Sequence, residues 1–280
     1  MAPSARHGSF YLAFCSIISA CDEPERRSLH DGSLGFFGAA SDDKQMTGST
    51  NHDCALVIMA KAPRPGSAKT RLAQSLPPTA VVGLYRCLLD DTIALAKSLD
   101  DVDVAIMCPA SDVEVLSREA SATVPILAQS GDGLAAGLTS VFAHFSEAGR
   151  RRIIAFNSDS PHLPVSILKS AFQALGEHDV VVGPTHDGGY YLVGATASHP
   201  GLFSGDRLGT TNAFDALLAR VRALGLSVRL TDPFYDIDVA ADLSQLAAEL
   251  QHAPARAPRT AQWLAEWRRA VPPDQRGVEP

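Results

Sequence analysis

Four short stretches of this sequence concentrate residues that can do chemistry on phosphates. The first is Lys61-Ala-Pro-Arg-Pro-Gly66-Ser-Ala-Lys69-Thr70-Arg71-Leu72. Lys61, Arg64, Lys69 and Arg71 gather there around a Pro/Gly turn at Gly66, in a chain whose formal charge is −7. Such cations, together with backbone N–H groups at a turn and a helix N-terminus, can receive a polyphosphate. The spacing is not that of a Walker P-loop, because Gly66 has no partner glycine and Lys69 does not follow one. The bland alternative is a solvated basic loop.

The second stretch is Asn157-Ser158-Asp159-Ser160-Pro161-His162-Leu163-Pro164, at the end of an apolar run. Asp159, paired with a second acidic residue, can hold Mg²⁺ or Mn²⁺, which prefer oxygen ligands and bridge substrate phosphates. Such a metal neutralises charge on a diphosphate leaving group. The alternative is that Asp159 only caps a helix, although it lies well before Val165. The fourth stretch, Phe234-Tyr235-Asp236-Ile237-Asp238-Val239-Ala240-Ala241-Asp242-Leu243, supplies that second carboxylate. Asp236 and Asp238 lie two apart, hence on one side of an extended segment, and either could join Asp159. Alternatively Asp238 or Val239 starts a helix, with Asp242 in its first turn.

The third stretch, Gly183-Pro-Thr-His-Asp187-Gly188-Gly189-Tyr190-Tyr191, reads as a hairpin turn or as a place where backbone approaches a ligand closely. Asp187 is the candidate general base, since this loop should face the cleft, and Asp236 is the other candidate catalytic carboxylate. No HExxH occurs, which disfavours a zinc hydrolase. Ser158 and Ser160 lack a GxSxG elbow, so nothing supports covalent catalysis.

These loops need elements to hold them. Ala55–Ala60 is a short apolar run ending in a Pro/Gly loop, which reads as a buried strand. Apolar residues at Val81, Leu84, Tyr85, Leu88, Thr92, Leu95 and Leu99 recur at helical spacing. Strands are expected at Val102–Cys108, Val124–Ala128, Arg152–Phe156 and Asp179–Gly183, with helices around Asp112–Ala120, Leu134–Phe145 and Val165–Leu175. Alternating strands and helices predict an α/β fold with a mainly parallel sheet covered on both faces. Tyr190–Val193 follows Gly183 too closely for a helical crossover and is expected to pair antiparallel. Ligands of open α/β sheets bind beyond the carboxyl ends of the strands, where these loops lie.

The 280 residues divide into an extension (1–52), an α/β domain (53–252) and a tail (253–280). The extension carries an apolar run, Phe10 to Ala20, shorter than the ~18 residues of a membrane span. It has the length of a signal-peptide core, and Ile18-Ser19-Ala20 before Cys21 resembles a lipoprotein cleavage site. The preferred reading is a poorly ordered extension, or an upstream start with the working start at Met46, and a cytoplasmic protein, where nucleotides are found. The tail holds one helix, Thr260 to Ala270, whose stripe of Trp263, Leu264 and Trp267 should dock on the domain. With 24 Lys+Arg against 31 Asp+Glu and 6 % aromatic residues, no basic face or stacking platform for nucleic acid is indicated. Five scattered cysteines, Cys15, Cys21, Cys54, Cys87 and Cys108, form no CxxC pair and suggest neither a disulfide framework nor a zinc knuckle.

Taken in order, Ala60–Leu72, Ser158–Pro164, Gly183–Gly194 and Asp236–Leu243 resemble a bacterial family of GT-A-type transferases. Its members are often named glycosyltransferases associated with radical-SAM or selenium-domain genes, and some are labelled arsenosugar-biosynthesis glycosyltransferases. The resemblance spans roughly residues 54–250 and implies a fold similar to nucleotide-diphospho-sugar transferases and to small guanylyl- and cytidylyltransferases. It implies that Lys61, Lys69 and Arg71 contact nucleotide phosphates, with Arg64 and Gly66 in the same loop, and that Asp159 and Asp238 hold Mg²⁺ or Mn²⁺. Asp187, Gly188, Gly189 and Tyr190 then line the acceptor or sugar side. Two departures stand out: Asn157-Ser158 replaces Gly-Thr before Asp159, and Gln129-Ser-Gly-Asp-Gly-Leu-Ala-Ala-Gly-Leu138 has Gly137 or Leu138 where the family has Arg.

The expected function is a metal-dependent glycosyltransferase using a nucleotide-diphospho-sugar and a small-molecule acceptor. The first alternative is a nucleotidyltransferase acting on an NTP. The second is a non-catalytic nucleotide-binding module, for which the altered 129–138 stretch argues.

Overall fold

The structure, a computed structural model, describes residues 53–119, 124–204 and 212–270. The expectations for residues 1–52 lie outside the described residues. The apolar runs become strands because both faces of the sheet are covered, and the middle residues of the central strands are buried. β1 (Cys54–Met59) runs parallel to β2 (Val102–Cys108) on one side and to β4 (Arg152–Asn157) on the other. With β3 (Ile126–Ala128), β5 (Val180–Pro184), β6 (Tyr190–Ala195) and β7 (Val228–Leu230), the order is β3-β2-β1-β4-β6-β5-β7. β6 is antiparallel to both its neighbours, as the short link after Gly183 predicts, and every other pair is parallel.

The helices in chain order are α1 (Pro78–Lys97), α2 (Val113–Glu119), α3 (Gly133–Glu147), α4 (Val165–Ala174), α5 (Ala213–Ala223), α6 (Ala240–His252) and α7 (Pro258–Ala270). Period-2 alternation divides each central strand between two cores. Leu56, Ile58, Ile154 and Phe156 meet α1, α2 and α4. Val57, Met107, Ala155 and Val182 meet α3 and α5. The sequence reading did not assign α5 or β7. β7 is a three-residue edge strand whose Arg229 and Leu230 are exposed, so it carries neither length nor alternation to read.

A third core forms outside α1. Its outer face (Val81, Leu84, Leu88) packs on Leu243, Leu246 and Leu250 of α6 and on Trp263, Leu264 and Trp267 of α7. The two tryptophans, four apart in α7, stack with centroids 5.4 Å apart. α7 cannot cap itself: Ala257 precedes it and Pro258 lacks an N–H. The buried Asp91 of α1 does so instead, accepting the N–H of Arg259 (3.2 Å) and of Thr260 (2.8 Å). Among the described residues no helix is long and apolar enough to cross a membrane.

Candidate active site

Three segments converge beyond the carboxyl ends of β1 and β4: residues 60–71 after β1, residues 158–164 after β4, and residues 234–238 before α6. The last two are tied through backbone and buried side chains. The Ile237 N–H donates to the Asp159 carbonyl (3.2 Å), and the Ser160 hydroxyl donates to the Tyr235 carbonyl (3.2 Å) while accepting from the Asn157 amide (3.0 Å). His162, 1 % exposed, packs its ring on Phe234 and Tyr235, with centroids 4.8 and 4.6 Å away. Burial holds its pKa down at about 4, so the ring is neutral. Ile237 is fully buried against α1 and α6, and the period of two turns Asp236 and Asp238 to the opposite side, towards Asp159.

Lys69 enters this carboxylate cluster from the first loop. Its backbone is in the left-handed region (φ 55°), uncommon for a residue with a Cβ, and its side chain is only 6 % exposed. The ammonium pairs with Asp159 and lies 4.0 Å from Asp238 Oδ1, while Arg71 Nη1 lies 2.6 Å from Asp238 Oδ2. Burial works against the Lys69 charge, but Asp159, and behind it Asp236 and Asp238, raise its pKa. Burial and the Asp159 charge push the Asp236 carboxyl up to about 6, with Lys69 only partly offsetting them.

The rest of the first loop is fixed by contacts that no local pattern announces. The buried Asp112 accepts the Ala62 N–H (2.9 Å), and Arg64 donates to the Ser111 carbonyl (3.0 Å) and lies 3.3 Å from Asp112. Arg64 therefore faces the loop after β2 and not the cavity. The Tyr85 hydroxyl accepts the Lys61 N–H (3.1 Å) and lies 3.0 Å from Ser158 Oγ. In the sequence Tyr85 is just one apolar position of α1, and only the tertiary structure brings its hydroxyl under two site loops.

These groups border a cavity of about 710 Å³ whose walls include Lys61, Gly66, Lys69, Gln129, Asp159 and Tyr190. That volume is in the range of ligand pockets. The Gln129 amide, on the far wall, donates to the carbonyls of Gly131 (2.8 Å) and Gly133 (3.2 Å). A Cβ at Gly137 would stand 2.7 Å from Gln129 Oε1 and 2.8 Å from Met59 Cε, and Leu138 is buried. An arginine at Gly137 would have to displace the ends of these two flexible side chains, and one at Leu138 would replace a buried apolar side chain.

The Asp187 turn behaves differently. Its carboxylate accepts from the Thr185 hydroxyl (2.5 Å) and the Gly189 N–H (3.2 Å), closing its own turn, and the Thr185 bond holds its pKa below the usual carboxylate range. Asp187, Gly188 and Gly189 shape the hairpin outside the cavity wall, and Tyr190 alone of that set lines it. Asp242 has its carboxylate on the N–H groups of Asp238 (2.9 Å) and Val239 (2.8 Å), which tightens the start of α6.

Among the described residues no group of three or more His, Cys, Asp and Glu forms a ready metal cage. The donor set at Asp159 and Asp238 is nevertheless all oxygen, and a cation, the Lys69 ammonium, already lies between them. Mg²⁺ commonly takes one or two carboxylates and completes its shell with water and substrate phosphates. The residues fit such an ion.

Residues 92–210 match the family described as "Uncharacterized protein conserved in bacteria (DUF2064)". A phosphoenolpyruvate guanylyltransferase of Sphaerobacter thermophilus is 30 % identical over 195 residues, covering 68 % of this chain and 90 % of its own length. The chain belongs to the family of that guanylyltransferase. A solved structure from Desulfovibrio desulfuricans, named for a proposed nucleotide-diphospho-sugar transferase activity, is 26 % identical with a TM-score of 0.72. It covers 78 % of this chain and 96 % of its own. The fold of this protein is thus that of the nucleotide-diphospho-sugar transferases, and the relatives reported are named as transferases of nucleotide substrates.

Proposed function

We propose that this protein is a nucleotidyltransferase. A nucleoside triphosphate occupies the cavity of about 710 Å³, an acidic hydroxyl of a small acceptor gives its proton to Asp236 as its oxygen attacks the α-phosphorus, and the bond to pyrophosphate breaks. The acceptor oxygen ends as a phosphoester or phosphoanhydride, and pyrophosphate leaves with its negative charge. The observation that carries this reading is the convergence of Lys69 and Arg71 with Asp159, Asp236 and Asp238, of which Lys69, Asp159 and Asp238 line the cavity. Lys61, Lys69 and Arg71 offer countercharge to the phosphates, and Gly66, which lines the cavity with φ +77°, lets the backbone approach them. Asp159 and Asp238 would hold Mg²⁺ or Mn²⁺, which when bound neutralises charge on the phosphates. Asp236, whose carboxyl is pushed up to about 6, suits a general base better than Asp187, whose pKa is lowered. The 30 % identical relative favours GTP as donor and phosphoenolpyruvate as acceptor. Such a donor implies a cytoplasmic reaction.

Glycosyl transfer from a nucleotide-diphospho-sugar is the second reading, favoured by the Desulfovibrio structure with its TM-score of 0.72. The two differ in the leaving group. The test incubates the full chain with each NTP and phosphoenolpyruvate, and separately with nucleotide sugars, and measures pyrophosphate and nucleoside diphosphate. Pyrophosphate formed only with GTP and phosphoenolpyruvate, and lost in Asp159→Asn, supports nucleotidyl transfer. Nucleoside diphosphate from a nucleotide sugar supports glycosyl transfer instead. Nucleotide binding that survives Asp159→Asn, with no product, would leave a binding module.

A further inference from the structure

The carboxylate cluster raises a charge problem that the proposed reaction does not address. Asp159, Asp236 and Asp238 lie together with side chains that are only partly exposed, and an uncompensated group of this kind is costly. The compensation is internal. Lys69 contributes one positive charge from inside the cluster and Arg71 a second from its rim, so the group carries about one net negative charge. The loop is built to deliver that lysine: the left-handed backbone at Lys69 (φ 55°) persists because its carbonyl accepts the Ala73 N–H (3.1 Å) and Leu72 is fully buried. The ammonium lies between the two carboxylates that suit a divalent ion. Two cations cannot share that position, since their repulsion at such separation is large. Lys69 also lines the cavity, so its ammonium can turn towards phosphate without leaving the pocket.

We infer that Lys69 is the resident cation of the Asp159–Asp236–Asp238 cluster and excludes divalent metal until a nucleotide's phosphates draw its ammonium away, so that metal and nucleotide enter together. This deepens the nucleotidyl-transfer reading and rests on it for the metal and the triphosphate. Lys69 thereby acts as a positioning residue that sets the order of binding as well as a phosphate ligand.

The test is Mn²⁺ binding to the full chain followed by electron paramagnetic resonance, with and without GTP, in wild type, Lys69→Met and Lys69→Arg. Wild type should take up Mn²⁺ weakly alone and at least tenfold more tightly with GTP. Lys69→Met should bind Mn²⁺ alone at least tenfold more tightly than wild type, and Lys69→Arg, which keeps the charge, should not. The melting temperature of Lys69→Met should fall in EDTA and recover with Mn²⁺, whereas that of wild type should ignore Mn²⁺ alone. If Lys69→Met does not fold, Lys69→Met/Asp236→Asn against Asp236→Asn carries the same comparison with one charge of each sign removed. Equal Mn²⁺ affinities with and without the lysine, while GTP still recruits Mn²⁺ to wild type, would overturn the inference and leave the functional reading standing. Mn²⁺ uptake by neither protein, even with GTP, would remove the metal from the functional reading and this inference with it.

Discussion

The cap that α1 supplies to α7 can be tested with one substitution. Asp91→Ala removes the acceptor of two N–H groups at the start of α7, at Arg259 and Thr260, and Thr260 is fully buried. A buried N–H left without a partner costs about 1–3 kcal/mol. Loss of an N-cap costs about 0.5–2 kcal/mol, and part of that is the same hydrogen bond counted again. We expect a net loss of about 2–3 kcal/mol, or roughly 4–12 °C in Tm for a chain of this size. Asp91→Asn keeps one carbonyl acceptor but sets its amide NH₂ against the other N–H, so it should cost about 1–2 kcal/mol, less than Asp91→Ala. Burial raises the Asp91 pKa above 3.8 despite the two N–H bonds, so the folded chain binds that proton more tightly than the unfolded chain. Relative to Asp91→Asn, wild type should therefore lose stability as the pH rises from 3.8 through the raised value. Urea unfolding of the three proteins at two pH values is the assay. A cost for Asp91→Ala below about 0.5 kcal/mol, under the range expected of a lost buried cap, would refute the reasoning and show that α7 is held by its buried Trp263, Leu264 and Trp267 and not by Asp91.

Three further substitutions probe the site and its frame. Asp236→Asn should lower kcat/KM by about 10²–10⁴ and abolish the acid limb that wild type should show near pH 6; because the carboxyl's folded pKa is raised, the variant should also gain stability relative to wild type as pH rises from 3.8 past 6. His162, held at about 4 against an ordinary 6.5, lends stability that is full above pH 6.5 and is lost as pH falls towards 4. At ~1.36 kcal/mol per pKa unit that loss approaches roughly 3 kcal/mol, and acid unfolding of His162→Phe should lack it. Gly183→Ala would set a Cβ 2.5 Å from Tyr191 Cζ and 2.9 Å from Leu192 Cγ inside the sheet, so it should cost about 1–3 kcal/mol in thermal unfolding.

The sequence alone determines the sheet's central strands and its antiparallel strand, but not the edge strand β7, because hydrophobic period and link length are local. Ala55 to Ala60 is apolar throughout, and the link after Gly183 is too short to cross over. Local composition also marks the chemistry-bearing loops, since cations around Gly66 and carboxylates at 159, 236 and 238 are visible as residue types. Residue type does not reveal direction. Arg64 and Lys69 look alike in the sequence, yet one turns to Ser111 and Asp112 and the other to Asp159. Asp187 and Asp236 look alike too, but a Thr185 hydroxyl lowers one pKa while burial beside Asp159 raises the other. Apart from Asp187, whose partner Thr185 is local, those outcomes depend on contacts between residues far apart in the chain, such as Arg64 with Ser111 and Lys69 with Asp159. Only the packed sheet brings such residues together, so the tertiary structure decided which of the candidate charges meet.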